Sequence, residues 1–463
     1  MYSVTGKDIS YQINQCENQA EENGGLPFSD LLPIDLVRQV LSELGIRFRE
    51  RVFDPVITLW AFLSQVMSQD HSCREAVARV LAWRVFHGKK PCSPRTSSYC
   101  DARQRLPEEL PATLAHRVAQ EMEESVNPAW QWKGRNVKVV DGSTVLTPDT
   151  PENQAAFPQS AGQKRGLGFP IVRIVMLFSL ATGAALEMVF GPCRGKKTGE
   201  TTLFREIHDQ LHPGDVVLGD RLFDSYRDIA SLRERGVDVV FRMNATRHRD
   251  FRRGRWLGYE DHVVEWKRPK FDASRFDRES YDALPETMQM REIRFHVEEP
   301  GFRPKSVVLV TTLLDADTYP AEELALLYRE RWHAELDLNS LKTTLQMEKL
   351  RCRTPEMVRK ELWMHLLAYN LIRSKMAQAA DQHQQLPRRL SFKGALQTVT
   401  AFAMLPACPP TRRDELCSAR LKAIASHHVG DRPNRVEPRV VKRRSKYSLM
   451  TVPRYLTHQR LMT

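Results

Sequence analysis

The sequence is short of several things. It has no run of about 18 or more apolar residues, so no membrane-spanning helix is expected. Its opening stretch, MYSVTGKDISYQINQCENQAEENGG, is polar and lacks an apolar signal core, so export is not expected. Cys16, Cys73, Cys92, Cys100, Cys193, Cys352, Cys408 and Cys417 include no Cys-x-x-Cys pair, so the spacing of a zinc or dithiol redox site is missing. Reduced, mostly buried thiols in a cytoplasmic protein fit that scatter. No internal repeat is visible. Acid is in deficit: 57 Asp and Glu face 69 Lys and Arg, a net charge of +12 that favours a polyanionic partner. What is present is the mix of a soluble globular protein, 41% apolar and 27% charged, in 463 residues that suit two to four domains.

Composition divides the chain. Residues 1–27 read as a polar arm and 28–130 as a helical domain. Within that domain Asp54-Pro55 marks a helix start, with further helices over about 71–86 and 107–124. Basic turns such as Lys89-Lys90 suit binding to DNA ends, and generic helical packing explains them nearly as well. Near residue 135 the pattern changes. Val137–Val140 is a short strand leading into Asp141. Pro170–Ser179 and Ala184–Phe190 are strands around the turn Thr182-Gly183. A helix is expected over 200–210, then a strand over 215–219 leading into Asp220. This order opens a mixed sheet with flanking helices, an α/β fold. Residues 243–305, with Arg247, Arg249, Arg252, Arg253, Arg255, Trp256, Tyr259 and Trp266, read as an inserted β-rich subdomain. The sheet domain, 131–242, resumes at 306 and extends to 400, with one long helix expected from Pro320 to about Leu345. The region 401–463 is basic, densest from Arg432 to Lys446.

One constellation carries chemistry. In Tyr328-x-x-Arg331-x-x-x-Glu335, with Lys342 seven residues on, 3.6 residues per turn sets the four side chains within roughly 60° of one another on a helix. On geometry alone Arg331 and Glu335 are equally a surface i,i+4 ion pair. Asp141 and Asp220 add weight, because each follows an apolar strand and can point into a cleft at the strand ends. A strand-ending turn is the plain alternative for either, and it is the reading for Asp215, which follows Pro213-Gly214. Three converging carboxylates suit hard divalent cations, Mg²⁺ or Mn²⁺. Two such ions can serve both cleavage and joining at phosphorus.

The sequence resembles the DDE transposases of the insertion-sequence-four family, whose YREK signature matches Tyr328, Arg331, Glu335 and Lys342. VKVVDGST around Asp141, VVLGDRLFDSY around Asp220 and the tail RPNRVEPRVVKRRSK strengthen the likeness, which covers about residues 50–450. The resemblance implies a ribonuclease-H-like catalytic domain with Asp141, Asp220 and Glu335 as catalytic metal ligands. It implies contacts from Tyr328, Arg331 and Lys342 to transposon-end DNA, with inverted repeats and target DNA as partners and a homodimer at the paired ends. It also implies a hairpin step with an extruded base on an aromatic ring. Trp256 and Trp266 are the candidates for that ring, each with a core role as its alternative, and Trp332 reads as core. Lys196-Lys197 is either a DNA contact or a solvated turn, and the tail either a DNA clamp or a basic arm. Two other functions stay open: a catalytically silent DNA-binding relative, and a nuclease without strand transfer. The place of work is the cytoplasm, with the nucleoid.

Overall fold

A computed structural model describes residues 32–49, 51–273, 277–296, 306–403, 410–430 and 450–453, with 456 and 459. The arm 1–27 and the cationic run Arg432–Lys446 lie outside the described residues. The chain forms two compact units: a helical one of Met1–Trp130, Ala181–Ala185 and Asn339–Val429, and a sheet-based one of Gln131–Leu180, Leu186–Leu338 and Gly430–Thr463. Among the described residues no helix is long and apolar enough to cross a membrane.

In the helical unit Asp54 caps the helix Pro55–Met67, its Oδ1 accepting the Ile57 amide at 2.8 Å. Ser72 caps Cys73–Phe86 in the same manner. The helix Ser97–Arg105 was not foreseen, and tertiary contacts explain it. Tyr99 is fully buried, and its hydroxyl and the Arg103 guanidinium both donate to Gln65 Oε1, at 2.8 and 3.1 Å. The 28-residue helix Pro355–Gln382 packs on Glu109–Glu124, Pro55–Met67 and Arg413–Ser426. This corrects the expected sheet-domain limit at 400. The helix buries Leu362, Leu366, Leu367, Tyr369 and Ile372 around nearly its whole girth, so it must be enclosed by other helices.

His71 and His365 stack inside this unit with ring centroids 6.0 Å apart. Burial pushes His71 down to about 4 and His365 to about 3. Both rings are therefore neutral in the fold, whereas the unfolded chain takes up protons near the ordinary 6.5. Stability from the pair is fully present above pH 6.5 and is lost as pH falls towards 4. Urea unfolding should weaken by on the order of 2 kcal/mol between pH 7 and pH 4.5, and His365→Phe should flatten that slope. An equal slope in the variant would assign the acid sensitivity elsewhere.

The sheet unit has nine strands: β1 (Val137–Leu146), β2 (Ile171–Ser179), β3 (Ala185–Pro192), β4 (Val216–Gly219), β5 (Asp238–Arg242), β6 (Arg255–Gly258), β7 (Asp261–Lys267), β8 (Thr287–His296) and β9 (Ser306–Thr311). Their order is β3-β2-β1-β4-β5-β9-β8-β7-β6. The central β1, β4 and β5 run parallel, while β2 and β9 flank them antiparallel. Val137, Val139, Val140, Val216–Leu218 and Val239–Phe241 are buried, as strands covered on both faces require. Asp215 is no site residue: it is buried in an ion pair with Lys138 at 2.8 Å.

The described part of the interval 243–305 is rich in strand, as expected, and it does not form a sheet of its own. Its strands β6–β8 extend the main sheet, because β8 pairs with β9 over six residues from Arg291↔Thr311 to His296↔Ser306. Arg291, fully buried, fixes the extension by pairing with both Asp261 oxygens, at 2.8 and 2.5 Å, and donating to the Tyr319 carbonyl at 2.6 Å.

Candidate active site

Strand register brings the first two acids together. β1 and β4 align Val137↔Val216, Lys138↔Val217 and Val139↔Leu218. Continued by two places, that register sets Asp141 beside Asp220 at the carboxyl end of the parallel pair. Asp141 is not at a strand end as expected. β1 runs on to Leu146 because β2 pairs with it throughout, Asp141 lying opposite Met176. What ends near Asp141 is its parallel neighbour β4, whose last residue is Gly219. Asp220 Oδ1 accepts the Leu222 amide at 2.7 Å, and Asp141 Oδ1 accepts the Gly142 amide at 2.9 Å.

The third acid arrives from a broken helix. The single helix expected from Pro320 to Leu345 is instead Ala321–Arg329, a turn at Glu330-Arg331, Trp332–Asn339 and a π-helical turn Ser340–Thr344. The 3.6-residue stripe is therefore interrupted twice. Tyr328 and Glu335 lie on different helices, with Arg331 in the turn between them. Lys342 falls on the π-helical turn, within the helical unit.

Arg331 is the cation among the acids. Its Nη2 donates to Glu335 Oε1 at 2.8 Å, and its Nη1 stands 3.7 Å from Asp141 Oδ2. Burial pushes the Asp141 carboxyl up to about 6; Arg331 and the Gly142 amide oppose this, while the charges of Glu335 and Asp220 add to it. That mutual repulsion shows the three acids sharing one field. Tyr328 is 8% exposed and lies behind Arg331, whose side chain it hydrogen-bonds. Burial pushes its phenol up to about 12. In this arrangement Tyr328 orients Arg331 and presents little surface of its own.

Among the described residues no three His, Cys, Asp or Glu side chains stand close enough together to hold a metal ion as they are. The donor set nevertheless suits one. It is all oxygen, it carries repulsion that a cation relieves, and the Arg331 guanidinium already stands in for a positive ion between two of its members.

The tryptophans separate. Trp266 is buried, its indole Nε1 donating to Glu292 Oε1 at 2.8 Å and its ring lying 3.6 Å beneath the Arg247 guanidinium. It is a core residue and cannot receive a base. Trp256 is 72% exposed on the edge strand β6. That strand is five places from β4, roughly 24 Å at the usual strand spacing, so Trp256 is not beside the acids. Trp332, expected in the core, is 54% exposed next to Arg331. It opens the second helix segment, where the break turns it outwards.

Two residues escaped sequence reading. Arg173 on β2 and Glu200, the first residue of the helix Glu200–Ile207, stand 3.9 Å apart beside Gly142. Only tertiary pairing puts them near Asp141, and no local motif marks them.

Residues 132–371 match the family described as the transposase DDE domain. The chain is 28% identical over 421 residues to the transposase InsG of insertion sequence element IS4 from Escherichia coli (strain K12), covering 90% of this chain and 91% of that protein. It is 27% identical over 143 residues to the putative transposase InsZ of the same organism, covering 31% of this chain and 47% of that one. The cryo-EM structure of a piggyBac transposase synaptic complex with hairpin DNA aligns with 90% of this chain and 88% of its own at TM-score 0.43 and 11% identity.

Proposed function

We propose, for a chain that belongs to the insertion-sequence-four family of DDE transposases, that it binds the terminal inverted repeats of its own element, cleaves donor DNA there and joins the freed ends to target DNA. The observation that supports this best is the convergence of Asp141 and Glu335 on Arg331, with Asp220 beside Asp141 at the carboxyl end of a parallel strand pair. The sheet around them is read as a ribonuclease-H-like core.

Asp141, Asp220 and Glu335 would hold Mg²⁺ or Mn²⁺, two ions in this reading, which supply Lewis-acid activation of water or a DNA 3′-hydroxyl for in-line attack at phosphorus. The chain's own groups do the rest. Arg331 exchanges its carboxylates for a backbone phosphate when DNA enters, since a planar guanidinium pairs with either. Tyr328 holds it from behind. Lys342 is read as a phosphate contact, a point charge that positions DNA without reading sequence. Pairing two ends calls for two protomers, and the reaction belongs to the cytoplasm, on nucleoid DNA.

The test is direct. The protein is incubated with Mg²⁺ or Mn²⁺, linear DNA bearing the element's ends and a supercoiled target. End cleavage with joined products is the expected result. Cleavage without joining would make the protein a nuclease, and binding alone a silent DNA-binding relative.

A hairpin step with an extruded base remains part of this reading; of the two candidate rings only Trp256 is exposed, on an edge strand away from the acids, so it is the one to test for a DNA contact. Trp256→Ala should weaken binding to a hairpinned end by about 5- to 100-fold, the range of one lost base stack, with unfolding unchanged. Trp266→Ala should instead cost about 3–5 kcal/mol of stability through the cavity it leaves. Fluorescence anisotropy and thermal melts separate the two, and an unchanged affinity for Trp256→Ala would remove it from the DNA face.

A further inference from the structure

Beside the three acids stands a fourth carboxylate, Glu200. The helix that carries it is fixed in place by Arg205, whose guanidinium grips both oxygens of the fully buried Asp228 at 2.6 and 3.2 Å. Glu200 itself lies half-buried against β1. A Cβ built on Gly142 would come within 2.6 Å of Glu200 Cδ and Oε2, so the missing side chain at position 142 is the space this carboxylate occupies. The same Gly142 donates its amide to Asp141 Oδ1. One glycine thus separates Glu200 from Asp141.

The partners of Glu200 leave it under-compensated. Its other oxygen, Oε1, is 3.9 Å from Arg173 Nε, beyond hydrogen-bond distance, and Arg173 spends Nη1 on the Thr198 carbonyl at 3.0 Å. Burial pushes the Glu200 carboxyl up; Arg173 opposes this, and the negative charge of Asp220 adds to it. Glu200 and Asp220 therefore share the field in which Arg331 pairs with the acids Asp141 and Glu335. A carboxylate so placed gains whenever a divalent cation enters.

We infer that Glu200 is a positioning residue of this site, a fourth carboxylate seated in the Gly142 notch that raises the affinity of Asp141 and Asp220 for divalent cations. The inference rests on the metal reading of the site proposed above. It differs from that reading in assigning work to a residue outside the three acids and outside the YREK signature. Glycine at 142 is the price of seating it, since any side chain there drives Glu200 out of its notch.

The test uses the DNA-free full chain, stripped with chelator and titrated with Mn²⁺ by calorimetry. Glu200→Gln should raise the Mn²⁺ Kd by about 10-fold, the low end of what an oriented acid outside the direct ligands contributes. Thermal unfolding in EDTA should be unchanged or higher. Gly142→Ala should shift the Kd in the same direction, since its methyl displaces the Glu200 carboxylate. Arg173→Gln, which removes a competing cation, should leave Mn²⁺ affinity the same or tighter. A Kd within twofold of wild type in both Glu200→Gln and Gly142→Ala, while Asp141→Asn loses Mn²⁺, would overturn the role of Glu200 and leave the three-acid site standing. Mn²⁺ uptake that survives Asp141→Asn, or that the wild type lacks, would overturn the metal reading and this inference with it.

Discussion

Replacing Glu335 by Gln should abolish end cleavage, by at least about 1,000-fold, and leave end binding within about twofold. A factor of 1,000 is about 4 kcal/mol of barrier, the scale of charge stabilisation lost with one metal-ligand carboxylate. Gln keeps the size and the polar head of Glu, so packing barely changes. Glu335 is partly exposed, its side chain at 40%, where it pairs with Arg331. In the proposed function binding rests on phosphate contacts from Arg and Lys, which the change leaves in place. End cleavage on a gel and end binding by mobility shift give the two readouts. A Glu335→Gln protein that still cuts would remove Glu335 from the set of three acids.

Arg331→Gln should move two quantities in opposite directions. The guanidinium now neutralises Asp141 and Glu335 from 3.7 and 2.8 Å. Without it those acids are left to an entering cation, and Mn²⁺ binding to the DNA-free protein should tighten by several-fold. End cleavage should nevertheless fall about 100-fold, because a preorganised donor to the phosphate is gone. A residue that only held the fold would lower both. A residue that only gripped DNA would leave Mn²⁺ affinity untouched, so equal Mn²⁺ affinity in wild type and variant would show that Arg331 does not guard the acids. Tyr328→Phe should show a weaker version of the same pattern, since it removes the hydroxyl behind Arg331 and nothing of the cation.

Much of the fold was legible because its signals are local. Asp54 and Ser72 cap helices through their own side chains. The turn Thr182-Gly183 joins β2 to β3, with Gly183 at φ +80°. The buried strands β4 and β9 read as short apolar runs. The helix around Glu335 was misread because unbroken apolar and polar periodicity does not reveal a turn at Glu330-Arg331 or a π turn after Asn339. That the strands of the inserted segment extend the main sheet was not legible for a related reason. Period-two patterning identifies strands, and nothing in it says whether they pair with one another or with an existing sheet edge. Trp256 and Trp266 are ten residues apart in one basic segment and equal in composition. Only pairing placed one on an open edge and the other over Glu292.

By itself the sequence determined the chemistry available to this protein: three acids, a cationic excess and a YREK spacing, since residue type and short-range spacing are written directly in the chain. Tertiary structure decided which groups meet. Parallel register put Asp141 beside Asp220, a helix break delivered Arg331 between Asp141 and Glu335, and a missing side chain at Gly142 admitted Glu200. These are contacts between residues up to 190 positions apart, from Asp141 to Arg331. Closing such distances costs chain entropy that only the buried sheet can offset.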